Sequence, residues 1–401
     1  MTTETDRLCL PAAEREKLTG LYEKLDGLRK AHVGYPCNHL FDYSELYPLL
    51  GYMMNNVGDP FAPSNIKENT HAFEKEVIEE FAELTHAPKD NFWGYVTNGG
   101  TEGNMYGLFL AREMYPDGIV YYCEDTHYSV AKILRLMGMR SIMIRRQENG
   151  EMDYADLRET LRLYRDVPPV FFLNAGTTMT GAIDKLSEVK AMIKDLCIQR
   201  HYIHVDGALM GMMMPFIDGV PEWDFRGGID SLSISGHKFI GAPIPCGVVL
   251  AKKEHVDRIA RSVEYVGALD TTVMGSRDPI SPMFLWYALK TIGREGMKNR
   301  VQACLDMAAY AERELNKVGI KAWRNDPSIT VVFPRPSDEI FDRWTLAPYG
   351  DITHLITVGH VTTETIDSLV ADLATDNQTT TNNAPRRGIA HPQSKRLSVY
   401  V

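Results

Sequence analysis

The sequence has no apolar run long enough to cross a bilayer, and its first residues, MTTETDRLCLPAAEREK, carry charge where a secretory leader would carry an apolar core. A soluble, cytoplasmic protein without a membrane partner is therefore expected. Basic excess is missing too: 43 Lys and Arg stand against 53 Asp and Glu, a formal net charge of -10. Nucleic-acid binders display a basic stripe that neutralises phosphates, so no nucleic-acid partner is expected. The cysteines (Cys9, Cys37, Cys123, Cys197, Cys246 and Cys304) contain no C-x-x-C pair and no regular spacing. That argues against a zinc knuckle or a disulfide framework, and no metal is expected. The chain also has no internal repeat, no P-loop and no G-x-G-x-x-G fingerprint.

With 401 residues, 44% of them hydrophobic, the chain can bury a large core and divide into a major and a minor domain. Between Pro11 and His32, Leu18, Leu21, Leu25 and Leu28 recur at spacings of three and four, predicting an amphipathic helix whose stripe needs a cover. A second helical pattern covers HAFEKEVIEEFAEL. From Tyr95 onward short apolar runs alternate with helical stretches: GYVTNGG, IVYYCE, RSIMIRR, PVFFLN and HYIHVD each close a strand-like segment. Runs without polar alternation suit strands covered on both faces, which predicts an α/β fold with a mainly parallel sheet. After about residue 290 a long helix, two strands and a final helix suggest a compact α+β unit. The expected division is a helical segment over 1–60, a large domain over 61–285, a small domain over 286–374 and a mobile polar tail over 375–401.

In sheets of this kind the reactive groups gather in the turns after the strands. The stretch Val96-Thr-Asn-Gly-Gly-Thr-Glu-Gly-Asn104 ends a strand in paired glycines and starts a helix at a hydroxyl, which suits a phosphate at the helix N-terminus. A tight turn with a capping residue explains it equally well. Asp206, closing the run YIHVD, fits a helix cap, a metal ligand or the partner of a cationic ring nitrogen; metal is the weakest choice, because only His204 stands nearby. Lys238 follows the next strand-like run, SLSISG. Neighbouring strand ends would bring this acid and this amine into one crevice, and pyridoxal phosphate needs both: an amine for a Schiff base and an acid for its pyridine nitrogen. His127, after IVYYCE, could stack on the flat ring, although a lone histidine there is more often a structural hydrogen-bonder.

The motifs NGGTEGN, DTHYSVAK, GTTMTGAID, HVDGAL, SGHKFIGAPIPCG and TVMGSR, in this order, resemble the pyridoxal-phosphate-dependent group II amino acid decarboxylases, in the branch of bacterial histidine decarboxylases and plant serine decarboxylases. The likeness runs from about Gly34 to Leu373. It implies the aspartate-aminotransferase-like type I fold, a mainly parallel large-domain sheet with a smaller α+β C-terminal domain. It further implies Lys238 as the Schiff-base residue, Asp206 as the ring-nitrogen partner, His127 stacked on the ring and Ala208 on the opposite face. Gly100, Thr101, Ser235 and His237 would serve the phosphate, and Tyr265 would return a proton to the α-carbon. The family's active site lies at a homodimer interface, and Gly275 and Ser276 resemble the piece lent by the neighbouring subunit.

Decarboxylation of an L-amino acid to its amine and carbon dioxide is thus the expected reaction, with histidine or serine leading. Departures keep a second substrate class open. Cys37 stands where histidine decarboxylases carry a glutamate, and Asp278-Pro-Ile280 replaces the branch's usual Asn-Gly-His. Apolar replacements favour a small or branched aliphatic amino acid such as valine. An aminotransferase or aldolase would use the same lysine and aspartate, with Arg277 a candidate clamp for the α-carboxylate. A non-catalytic binding module would more readily have lost Lys238 or Asp206.

Overall fold

The structure, a computed structural model, describes residues 10–263 and 268–382. Two helices, α1 (Ala12–Arg29) and α2 (His71–Leu84), precede the first strand, β1 (Trp93–Thr97). Helix and strand then alternate through α3 (Gly100–Met114), β2 (Ile119–Cys123), α4 (Ser129–Met137), β3 (Arg140–Ile144), α5 (Tyr154–Leu163), β4 (Pro169–Asn174) and α6 (Leu186–Asp195). Three further strands complete the run: β5 (Tyr202–Asp206), β6 (Ser231–Ser235) and β7 (Gly247–Ala251). All seven join one sheet in the order β1-β7-β6-β5-β4-β2-β3. Only β7 runs against its neighbours; the remaining contacts are parallel.

The apolar runs of the sequence explain the burial. Every residue of β1, β4, β5, β6 and β7 is buried, as strands covered by helices on both faces require. Strand alternation divides them between two cores: Phe171 and Val205 feed one, Phe172 and Tyr202 the other. On α2, Val77, Ile78 and Phe81 are fully buried, each contributing about 2 kcal/mol of transfer free energy. At the sheet edge β3 breaks the pattern, exposing Arg140, Ser141 and Met143; a charge at an edge strand discourages pairing with another chain.

Beyond the large sheet come α7 (Lys253–Ile259), the short pair β8 (Arg261–Val263) and β9 (Ala268–Asp270), and α8 (Ile280–Lys317). Then follow β10 (Thr330–Pro334), α9 (Asp338–Arg343), β11 (Ala347–Tyr349), β12 (Ile352–Ile356) and α10 (Thr363–Asn382). The last three strands form an antiparallel sheet, β10-β12-β11.

Two expected boundaries shift. The helix of α8 passes through residue 286 without a break, and the chain departs from helical geometry at Gly293 (φ 65, ψ 172), a conformation that glycine adopts without steric cost. Similarly, α10 continues to Asn382, into the stretch read as a polar tail, because its later turns are polar and carry no apolar periodicity to betray a helix. The rest of that tail, and Tyr265, lie outside the described residues. Among the described residues no helix is long and apolar enough to cross a membrane. The α1 helix buries none of its residues, and Leu21 and Leu25 are 48% and 53% exposed.

Candidate active site

Strands β5 and β6 lie side by side and parallel, with Asp206 opposite Ser233, so the turns that follow them open at the same sheet edge. Lys238 sits three residues past the end of β6, and its side chain faces a cleft of ≈ 300 Å³ that Asp206 also lines. The strand-end pairing expected from the sequence is therefore realised in space. Gly100, Thr101, His127, Ala208, Ser235 and His237 line the same cleft. Gly275 and Ser276 do not: both are exposed, and the Ser276 hydroxyl accepts from Asn55 Nδ2 at 3.0 Å.

One end of the cleft is shaped for an oxyanion. Gly99 takes a φ of 121°, open to glycine and strained for other residues, and this turn sets Gly100 at the first position of α3. Glu102 pins the turn from within the helix, accepting from the Asn98 amide N–H (2.8 Å), Asn98 Nδ2 (2.7 Å) and the Tyr95 hydroxyl (2.9 Å). The first amides of a helix have no intrahelical acceptor and point outward at the positive end of its dipole. Facing them is Ser235 Oγ, buried and, among the described residues, without a hydrogen-bond partner. A Cβ on Gly100 would come within 2.8 Å of that oxygen and fill the space. An anionic oxygen seated there would satisfy both the hydroxyl and the amides.

The other end carries the charged pair. Asp206 Oδ2 accepts from Asn104 Nδ2 at 2.7 Å and Oδ1 from the Ala208 amide at 3.0 Å, an arrangement suited to an acceptor-only carboxylate. Burial lowers the Lys238 amine from its ordinary value, with Asp206 and Cys37 pulling it back up. Lowering brings an amine nearer to the neutral, nucleophilic form. His127 is held by a 2.8 Å contact between its Nδ1 and Ser129 Oγ, and burial lowers its pKa against the pull of Asp206. His237 is likewise lowered by burial, its Nδ1 lying 2.8 Å from the Cys246 carbonyl.

These features fit pyridoxal phosphate: a partnerless hydroxyl at a helix N-terminus for the phosphate, a desolvated amine for the aldehyde, and an oriented carboxylate for the ring nitrogen. A family model described as the pyridoxal-dependent decarboxylase conserved domain matches residues 38–333. The chain belongs to this family. Histidine decarboxylase of Morganella morganii is 47% identical over 348 residues, covering 86% of this chain and 92% of that enzyme. Histidine decarboxylase of Mesorhizobium japonicum is 42% identical, covering 92% and 100% respectively. Among solved structures, L-methionine decarboxylase from Streptomyces sp. 590 superposes with a TM-score of 0.84 at 25% identity, over 92% of this chain and 95% of that one. The protein is thus a pyridoxal-phosphate-dependent amino acid decarboxylase with the type I fold.

Several residues of this decarboxylase's cleft escaped the sequence reading. Thr330, Ala347 and Ile356 line it from the small sheet, whereas Gly34, Tyr35 and Pro36, which also line it, belong to the entrance segment that the family resemblance pointed to. His354, on β12, ties these walls together: its ring nitrogens lie 3.1 Å from the Met179 carbonyl and 3.0 Å from the Gly34 carbonyl. No local pattern marks such residues, since they meet only across long stretches of chain. Asn104 did carry a signal, as the last residue of NGGTEGN, but its position one turn into α3 gave no hint of its contact with Asp206.

Arg277 moves the other way. In the decarboxylase it does not line the cleft; it is buried, paired with Glu74, donating to the Gly58 carbonyl at 3.1 Å and lying 5.2 Å from the centre of the Tyr95 ring. Glu74 also accepts from the Val96 amide at 2.8 Å and Asn56 Nδ2 at 2.9 Å, so both carboxylate oxygens are engaged. A buried guanidinium so committed is not available to clamp a substrate carboxylate, which removes the feature that kept an aminotransferase reading open.

Proposed function

We propose that this decarboxylase acts on histidine, releasing the amine and carbon dioxide, with Lys238, Asp206 and His127 at the centre of its site. The observation that carries the reading is the convergence of Lys238, Asp206 and the α3 N-terminus on one cleft in a chain 47% identical to a histidine decarboxylase. Bound pyridoxal phosphate supplies a ring that withdraws electrons from the substrate's α-carbon. Lys238 would hold the cofactor's aldehyde group through its amine. Asp206 keeps a proton on the ring nitrogen. The Gly100 and Thr101 amides, the Ser235 hydroxyl and His237 would hold the phosphate, and His127 and Ala208 would pack against the ring. Tyr265, outside the described residues, is the proposed donor of the proton that returns to the α-carbon.

A second substrate class has its own support. The small-sheet wall of Thr330, Ala347 and Ile356 is neutral, and both His354 nitrogens already face carbonyl oxygens, which suits an aliphatic side chain. Amine and carbon dioxide release from a panel of twenty amino acids, with purified protein and added cofactor, separates the two. Histidine as the strong substrate is the expected result; strong turnover of valine with none of histidine would overturn it in favour of the aliphatic class.

The working unit is proposed to be a homodimer. Exposed Leu18, Leu21, Leu25 and Leu28 on α1 need an apolar partner, and Gly275 and Ser276 are exposed and lie outside the cleft of their own chain. Sedimentation should return twice the 45.3 kDa chain mass; a fully active monomer would remove this part of the reading.

A further inference from the structure

Behind Asp206 lies a buried chain of hydrogen bonds whose direction is set at every member. Asn104 Nδ2 donates to Asp206 Oδ2 at 2.7 Å. The amide's other end, Oδ1, lies 3.0 Å from His204 Nε2 and can only accept, so Nε2 carries the proton. His204 Nδ1 lies 2.7 Å from Ser231 Oγ, and Tyr202 donates its hydroxyl to that same oxygen at 2.9 Å. Tyr202, His204 and Ser231 are fully buried and Asn104 is 2% exposed, so water does not complete the chain.

The neutral imidazole that this order requires agrees with its surroundings: complete burial pushes the His204 pKa down to about 3. A neutral ring protonated on Nε2 accepts at Nδ1 from Ser231, whose oxygen then accepts from Tyr202. Both ring nitrogens and the Ser231 hydroxyl then have partners. The neighbours are uncharged: the Phe172 ring lies 5.1 Å away, and α3 lies above, where a Cβ at Gly107 would collide with the imidazole. At the far end Tyr202 feels Asp230, and its ring lies tilted with its centre 5.5 Å from that of His255. At the near end His127 and Lys238 face Asp206 across the cleft.

We infer that Asn104 and His204 are positioning residues that act through Asp206: the chain holds one carboxylate oxygen in place and so sets how firmly a proton is kept on the cofactor's ring nitrogen. The glycines of α3 serve this function. Only without a Cβ at Gly103 and Gly107 can the helix approach β5 and β6 closely enough for Asn104 to reach both partners. His204, two residues before Asp206 on β5, shares its strand face.

This inference rests on the reading of Asp206 as the ring-nitrogen partner, and the test keeps the two apart. The readout is the pH midpoint of the bound cofactor's visible absorbance, measured with the cofactor dissociation constant and kcat on the holoenzyme. Asn104→Leu should move the midpoint in the same direction as Asp206→Asn does and lower kcat by about 10- to 100-fold, the usual effect of losing an outer partner of a ligating group. His204→Leu should move it in the same direction. His204→Gln, which can still donate to Asn104 Oδ1, should restore most of both. Unmoved midpoints in Asn104→Leu and His204→Leu, beside a shifted one in Asp206→Asn, would overturn the relay and leave the role of Asp206 standing. An unmoved midpoint in Asp206→Asn would overturn that role, and the relay with it. If Asn104→Leu does not fold, the His204 pair decides: equal shifts in His204→Leu and His204→Gln would refute the directed chain.

Discussion

Lys238→Ala is expected to abolish turnover, a loss on the order of 10⁴-fold or more, together with the visible absorbance of lysine-bound pyridoxal phosphate. Among the described residues that line the cleft, Lys238 carries the only primary amine, and it is the proposed covalent holder of the aldehyde carbon. Folding should survive. Among the described residues the Lys238 amine makes no ion pair or hydrogen bond, and burial works against its charge, so truncation leaves no buried partner stranded. Thermal melting should thus stay near that of the wild-type apoprotein while activity and absorbance vanish together. Retained turnover at more than a few per cent would remove the central assignment.

Asp206→Asn should separate binding from chemistry. The variant is expected to keep the cofactor's absorbance and lose about 100- to 1,000-fold in kcat, the scale seen when a single well-placed electrostatic contact is removed. Asparagine preserves the shape and can still accept from the Ala208 amide, yet it carries no charge to hold a proton on the ring nitrogen. It also sets its own N–H₂ group against Asn104 Nδ2, a donor facing a donor, unless one of the two amides turns over. Cofactor titration and single-turnover rates on the same preparation check both halves. Unchanged kcat would mean that the ring does its work without this carboxylate.

Much of the fold was legible because its signals are local. The apolar run around Phe171 has no polar alternation and became a strand buried on both faces, while β6, Ser-Leu-Ser-Ile-Ser, is buried throughout although its sequence alternates. The positions of Asp206 and Lys238 at the ends of consecutive strands were equally readable, since a parallel βαβ arrangement brings such ends to one edge. Motif order then pointed to the pyridoxal-dependent decarboxylases, a family the match over residues 38–333 bears out. Signals failed where polarity hid structure or where a residue's partner was remote. The later turns of α10 look like solvated tail, and Arg277, beside the Gly275-Ser276 motif, looks like a free substrate clamp until Glu74 is found against it.

Two kinds of information therefore divide this protein. Composition, apolar periodicity and the glycine, aspartate and lysine motifs are carried by neighbouring residues, and they sufficed for the α/β architecture and the cofactor, while the reaction class came from the resemblance of the six ordered motifs to a known family. Only the tertiary structure decided which polar groups are satisfied and by whom. Asn104 meets Asp206 across 102 residues, His354 meets the Gly34 carbonyl across 320, and Arg277 meets Glu74 across 203. The physical reason is that a side chain's hydrogen-bonding capacity is written in its own chemistry, whereas its partner is chosen by the packing of elements far apart in the chain.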